Sequence, residues 1–175
     1  MRKYDFTLKF ALARHGADPE QFVGRLLEEG CDDALIGIGK RGRIALNFGR
    51  EANSADEAFL TAISDVKRAI PDVAFIEATP DLVGIPDIAS VVGVTRQYVR
   101  KLVEDSTRDF PPPVHDGKRA IWHLETVLTW FSAECRDVDE ATMEVSRLAM
   151  YCNHLKERQR LGKKIPETIR KAIAA

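Results

Sequence analysis

The side chains of this sequence best suited to chemistry form a short basic and amide-bearing run at positions 95–101. They are Thr95, Arg96, Gln97, Tyr98, Arg100 and Lys101. Arginine and glutamine make paired hydrogen bonds to base edges in the major groove of DNA, arginine to guanine and glutamine to adenine. Lysine and arginine also suit phosphate contacts. The run therefore indicates a face that binds double-stranded DNA; the alternative is a helix whose charges are only solvated.

Two predicted helices joined by a sharp turn would position this run. The first helix opens at Pro86, and Gly93 supplies the turn because glycine adopts a left-handed backbone at little cost. Thr95 caps the second helix. The inward-facing positions of the pair are Ile88, Ala89, Val92, Val94, Val99, Leu102 and Val103.

A hairpin is predicted directly after these helices. Residues 111–113 are three prolines, which cannot be helical, and residues 120–123 suit a short strand. The turn between them contains Gly117 and carries Lys118 and Arg119 at its tip. A further helix is expected from about Glu125 to Arg136.

These segments together resemble the winged helix-turn-helix of AlpA-type phage regulators and excisionases, which are relatives of the MerR DNA-binding domain. The resemblance covers residues 82–133 and rests on Ile88-Ala89, residues 93–97, Val99, Leu102, Phe110-Pro111, Pro113-Val114, residues 117–119, Trp122, Val127 and Trp130. It implies that Arg96, Gln97 and Tyr98 enter the major groove. It also implies that Lys118 and Arg119 touch the backbone or the minor groove, while Trp122 and Trp130 pack beneath the wing. Members of this family often consist of this one domain.

Residues 1–80 predict a separate α+β unit. Its elements are a strand at 3–12, a helix from Asp18 to Gly30, strands at 34–38 and 44–48, a helix from Ser54 to Pro71, and a strand at 73–76. The order βαββαβ is the ferredoxin-like arrangement, with both helices on one face of a four-stranded antiparallel sheet. That fold serves ligand sensing, self-association and RNA binding alike. RNA binding is not favoured, because the aromatic residues lie on the face that the helices should cover.

Catalytic or cofactor chemistry is not expected in this unit. Residues 37–42 read G-x-G-x-x-G, but a dinucleotide site needs a helix after those glycines and here a strand follows. We therefore interpret the motif as a turn that exposes Lys40, Arg41 and Arg43. His15 has no acid or second histidine at ligand spacing, so it is interpreted as a loop residue.

The segment 137–175 is expected to be helical. Apolar residues follow each other at spacings of three and four, which suits a helix from about Asp139 to Arg160. They are Val138, Ala141, Val145, Leu148, Cys152 and Leu155. This seam indicates either a dimer contact or packing against the same chain. Cys152 and His154 point to different helix faces, so no metal site is expected.

Composition limits how such a chain could bind DNA. The 175 residues carry 26 Lys and Arg against 27 Asp and Glu, so positive charge must be local. Residues 96–119 hold six basic and four acidic side chains, which predicts weak binding by one copy and favours a homodimer that reads two half-sites. The three widely spaced cysteines lack a CxxC pair, which argues against disulfide scaffolds and zinc fingers. No apolar run reaches about 20 residues, so we expect a cytoplasmic protein without membrane contact.

The sequence thus predicts an α+β protein with a ferredoxin-like domain (1–80), a winged helix-turn-helix (81–136) and a C-terminal helical segment (137–175). We expect a sequence-specific regulator of transcription, whose N-terminal domain binds a protein, a ligand or its own copy. The alternative is an antitoxin or interaction protein that neutralises a partner through the N-terminal domain and represses its own operon. An enzyme is not expected, because the sequence has no nucleophile elbow and no clustered catalytic or metal-ligating side chains.

Overall fold

The computed structural model describes residues 1–134, 136–161 and 166–174 of a mixed α+β protein. The strands are β1 (Arg2–Ala11), β2 (Ala34–Gly37), β3 (Arg43–Ala52), β4 (Ala74–Thr79), β5 (Leu82–Val83) and β6 (Trp122–His123). The helices are α1 (Val23–Glu28), α2 (Ala55–Ala69), α3 (Ile85–Val92), α4 (Arg96–Glu104), α5 (Leu124–Ala133), α6 (Glu140–Leu161) and α7 (Glu167–Ala174). A 3-10 turn at Pro19–Phe22 precedes α1.

The first four strands form an antiparallel sheet in the order β2-β3-β1-β4. Alternate side chains of a strand point to opposite faces, and the apolar set of β1 lies on the covered face. Phe6 pairs with Phe48 and Leu8 with Leu46, and all four are at most 2% exposed. The alternation in the sequence therefore predicted the buried face of this strand correctly.

Helix α2 begins at a hydrogen-bonded cap. The Ser54 hydroxyl accepts the Glu57 N–H at 3.2 Å, and the Glu57 carboxylate accepts the Asn53 N–H at 2.9 Å. The Ser54 hydrogen bond is half of the capping box that the serine and glutamate spacing predicts, but the Glu57 carboxylate bonds Asn53, one residue before the cap, instead of the Ser54 N–H. The buried side of the helix carries Ala58, Ala62 and Val66, whose small side chains allow close packing in the sheet core.

The glycine-rich segment before β3 is a turn. The Gly42 N–H donates to the Ala17 carbonyl at 2.8 Å, and the Gly42 carbonyl accepts the Leu12 N–H at 2.9 Å. Gly42 has a φ of +73°, which favours glycine. Because β3 follows at Arg43, the glycines do not precede a helix N-terminus and offer no dinucleotide site.

Helix α6 packs on the sheet that the N-terminal residues form. Ala141, Val145 and Ala149 are buried in its core, and Cys152 packs against it. The apolar seam of the C-terminal segment therefore packs against its own chain, which is the second of the two predicted alternatives. Since the same chain covers these side chains, they are not available to a second copy. Only the last seam residue, Leu155, is largely exposed, at 54%.

A buried guanidinium holds the helical side of the sheet together. Arg50 donates to both Asp33 oxygens, at 2.8 and 3.0 Å, and to the Asp65 carboxylate at 2.6 Å. It also donates to the Gly30 carbonyl at 2.6 Å. Burial would lower the pKa of Arg50, but the two carboxylates raise it above its ordinary value. For the neighbouring Cys31, burial disfavours the charged thiolate and raises the pKa to about 12. This cysteine is therefore a thiol at neutral pH.

A second polar cluster joins the sheet to the rest of the chain. Asp81 is 2% exposed, and its carboxylate lies 2.6 Å from His123 Nδ1 and accepts the Asn153 amide at 2.7 Å. The Asp81 carbonyl accepts the Leu124 N–H at 2.7 Å. The cluster therefore fixes β6 and α6 to the end of β4.

Two absences were found among the described residues. None of the described helices is long and apolar enough to cross a membrane. Within the same residues, no group of three or more His, Cys, Asp and Glu side chains could hold a metal ion.

Candidate nucleic-acid interface

Helices α3 and α4 are joined by a turn that depends on one glycine. Helix α3 ends at Gly93, whose φ of +69° is left-handed. The chain then reverses, and the Val94 N–H donates to the Ala89 carbonyl at 2.9 Å. At the other end of α3, the Asp87 carboxylate accepts the Gly84 N–H at 3.0 Å. The Val94 bond and the Gly93 conformation fix the direction in which the chain leaves α3, and the Asp87 bond caps the first turn of that helix.

Helix α4 separates an apolar face from a cationic one. The Thr95 hydroxyl caps it by accepting the Tyr98 N–H at 3.1 Å. Val99 and Leu102 are buried in the core that α4 shares with α3 and α5. The opposite face is solvent-exposed and carries Arg96, Gln97, Arg100 and Lys101. In the described part of the chain, these four side chains make no hydrogen bond or ion pair, so their donors are available to a ligand.

Tyr98 differs from the other predicted contact residues. It is half-buried, and the Arg136 guanidinium lies 4.9 Å above the centre of its ring. A cation over an aromatic face is a stabilising contact. Tyr98 therefore packs at the edge of the cationic face, with one side of its ring occupied. Sequence analysis did not identify Arg136 as its partner, since no local pattern links the two positions.

The predicted wing forms a narrow hairpin. His115 and Ile121 make a β-bridge in which the Ile121 N–H donates to the His115 carbonyl at 3.0 Å. The strand continues as β6, where Trp122 pairs with Val83 of β5. Lys118 and Arg119 lie exposed on the turn of this hairpin. Like the cations of α4, they have no side-chain partner among the residues described.

The two tryptophans pack beside this hairpin. Trp122 is 1% exposed, and its indole N–H donates to the Pro111 carbonyl at 2.8 Å. The indole N–H of Trp130 donates to the Arg108 carbonyl at 3.2 Å. The Phe110 ring packs against both indoles, with its centre 5.0 Å from that of Trp130. Trp122 is thus part of the core, and the half-buried Trp130 packs against it.

The net charge of this region is modestly positive. Arg108 is paired with Asp105 and Glu134, each at 3.8 Å, so it is not free to meet a phosphate. Hydrogen bonds from the Thr107 hydroxyl and backbone lower the pKa of Asp105, which therefore remains ionised at neutral pH. The cations without a partner within the described ranges are Arg96, Arg100, Lys101, Lys118 and Arg119. They fall into two groups, one on α4 and one on the hairpin.

Comparison with known proteins gave no match. No protein-family model, no curated protein and no solved structure is significantly similar to this chain.

Proposed function

We propose that this chain is a sequence-specific double-stranded DNA-binding regulator of transcription. In this proposal residues 81–136 are a winged helix-turn-helix, and residues 1–80 are a ferredoxin-like unit. The observation that carries the proposal is the solvent-facing side of α4, where two arginines, a glutamine and a lysine have no partner among the described residues. A helix face that gathers basic and amide donors is the electrostatic footprint with which a nucleic-acid-binding protein meets phosphates and base edges.

The order of residues along α4 suits the major groove. In helix-turn-helix proteins, the first residues of the second helix reach the base edges. Arg96 and Gln97 occupy the first turn and can pair with guanine and adenine. Arg100 and Lys101 lie one turn further on, where phosphates would flank the helix. The hairpin carries Lys118 and Arg119 to a second contact on the backbone or in the minor groove.

Selection from a random duplex pool tests the proposal directly. The full chain is immobilised, and bound duplexes are amplified and sequenced over several rounds. We expect one short motif to be enriched, because Arg96 and Gln97 specify bases. A motif that occurs twice at a fixed spacing would indicate a dimer on two half-sites. A pool that stays random would contradict the proposal.

The hairpin contact gives a separate prediction. A Lys118→Ala/Arg119→Ala variant should bind all duplexes more weakly, with the same order of preference. The slope of log affinity against log salt should fall by up to about 2, because each lost phosphate contact accounts for about 0.9. Fluorescence anisotropy on a selected duplex at several salt concentrations measures this. An Arg14→Ala/Arg43→Ala variant removes two exposed cations from the sheet unit and should leave the slope unchanged. Equal slopes in the two variants would remove the hairpin from the interface.

A further inference from the structure

The two edge strands of the four-stranded sheet, β4 and β2, differ in whether another element of the chain covers them. Strand β4 forms one edge, and α6 covers it. The Asn153 side-chain amide donates to the Ala78 carbonyl and accepts the Ala78 N–H, both at 2.8 Å. This amide takes the place of a neighbouring strand, so the β4 edge cannot pair with another chain there.

The opposite edge, β2, has no such cover in the part of the chain that the structure describes. Its sequence is Ala34-Leu35-Ile36-Gly37, and it pairs with β3 alone. The strand is short, at four residues, but it carries none of the charged side chains, proline or bulge that also protect exposed edges. The Leu35 side chain is 77% exposed.

The hydrogen-bond pattern shows which backbone groups of β2 face outward. The Gly49 N–H donates to the Asp33 carbonyl at 3.0 Å, so odd-numbered residues of β2 exchange hydrogen bonds with β3. In an antiparallel ladder the bonded pairs alternate, and the residues between them point their N–H and C=O away. Ile36 therefore presents both its N–H and its C=O to the open side, and Ala34 presents its C=O, while the Ala34 N–H donates to the Cys31 carbonyl at 3.2 Å.

We infer that this edge is a self-association site, where β2 of a second copy pairs antiparallel to form a continuous eight-stranded sheet. Outward groups lie at even positions, so even residues must oppose even residues. The central register places Ile36 opposite Ile36 of the other copy, on the two-fold axis. That register brings Asp32, in the turn before β2, to the same end of the paired strands as Lys40 of the other copy, in the bend after β2.

Charge complementarity selects a second copy of this chain as the occupant. The Asp32 and Lys40 side chains are exposed, and neither side chain makes a hydrogen bond or ion pair within the described residues. The strand thus carries a negative charge before it and a positive charge after it. Antiparallel self-pairing forms two opposite-charge pairs, whereas parallel pairing would bring like charges together. An isologous contact of this kind closes as a dimer.

This inference does not rest on DNA binding. The edge belongs to the sheet, while the cationic face belongs to α4, so substitutions in one leave the other intact. In the dimer, two copies of α4 would be joined through a rigid sheet. A chain that dimerises but binds no DNA would refute the proposed function alone.

Sedimentation equilibrium of the full chain tests the inference. The wild type should sediment at twice its 19.6 kDa chain mass and dissociate on dilution. Asp32→Lys should weaken the dimer by roughly tenfold or more, because both charge pairs become repulsive. Asp32→Lys combined with Lys40→Asp reverses both pairs and should restore most of the affinity. Leu35→Lys should also weaken the dimer, whereas the control Leu60→Lys, at a leucine 68% exposed on α2, should not.

Circular dichroism should confirm that each variant retains the wild-type fold. A wild type that remains monomeric up to about 1 mM would overturn the inference, as would equal effects of Leu35→Lys and Leu60→Lys. Failure of the charge swap to restore the dimer would overturn the register centred on Ile36.

Discussion

An Arg96→Ala/Gln97→Ala variant should lose its preference for the duplex enriched by selection and should keep its fold. Each lost base contact is expected to cost about 1–3 kcal/mol, which is roughly fivefold to 150-fold in affinity. Binding to unrelated duplexes should fall much less, because phosphate contacts supply that affinity. The fold should survive since both side chains are solvent-exposed and the Thr95 cap is retained.

Competition anisotropy with the selected and a scrambled duplex measures this preference as a ratio of affinities. The chain offers a matched control in Arg158 and Gln159, an adjacent exposed pair of the same residue types on α6. Arg158→Ala/Gln159→Ala should leave the ratio unchanged. An unchanged ratio in the Arg96/Gln97 variant would remove α4 as the recognition helix.

Arg50→Ala should lower the free energy of unfolding by about 3–5 kcal/mol, the usual loss when one partner of a buried ion pair is removed. The Asp33 and Asp65 carboxylates would lose their shared donor, and the Gly30 carbonyl would lose a 2.6 Å hydrogen bond. Arg50→Lys should recover only part of the loss, because an ammonium cannot bridge both carboxylates with a planar fork.

Urea unfolding followed by circular dichroism measures this free energy. Arg43→Ala removes an exposed arginine from the same strand and should change it by less than about 0.5 kcal/mol. If Arg50→Ala were equally mild, the buried network would not stabilise the sheet.

The features that the sequence predicted well depend on neighbouring residues. Thr95 caps α4 and Gly93 turns the chain because each acts within a few residues of itself. The alternation in β1 is equally local, since the pleat alone decides which side chains share a face. The limits of β4 were less accurate: it runs to Thr79, three residues beyond the prediction, because pairing with β1 extends it.

The features that the sequence did not reveal depend on residues far apart in the chain. An arginine in a strand is usually expected to be exposed. Only folding brings Asp33 and Asp65 close enough to pair with Arg50. The same holds for the cluster of Asp81, His123 and Asn153. The spacing of the α6 seam fits a partner helix or a sheet equally well, and the position of β4 decides between them.

The place of α6 in the first core has a consequence for biosynthesis. Arg2 pairs with Glu140, which is 138 positions further along the chain, and Val145 and Ala149 complete the layer that β1 begins. A ribosome adding about 5–20 residues per second needs on the order of ten seconds to make that stretch. Throughout this interval the nascent sheet lacks helix α6, and the apolar side chains that this helix would cover are exposed to solvent. Chaperones that hold emerging chains should therefore engage this protein until its final quarter has been translated.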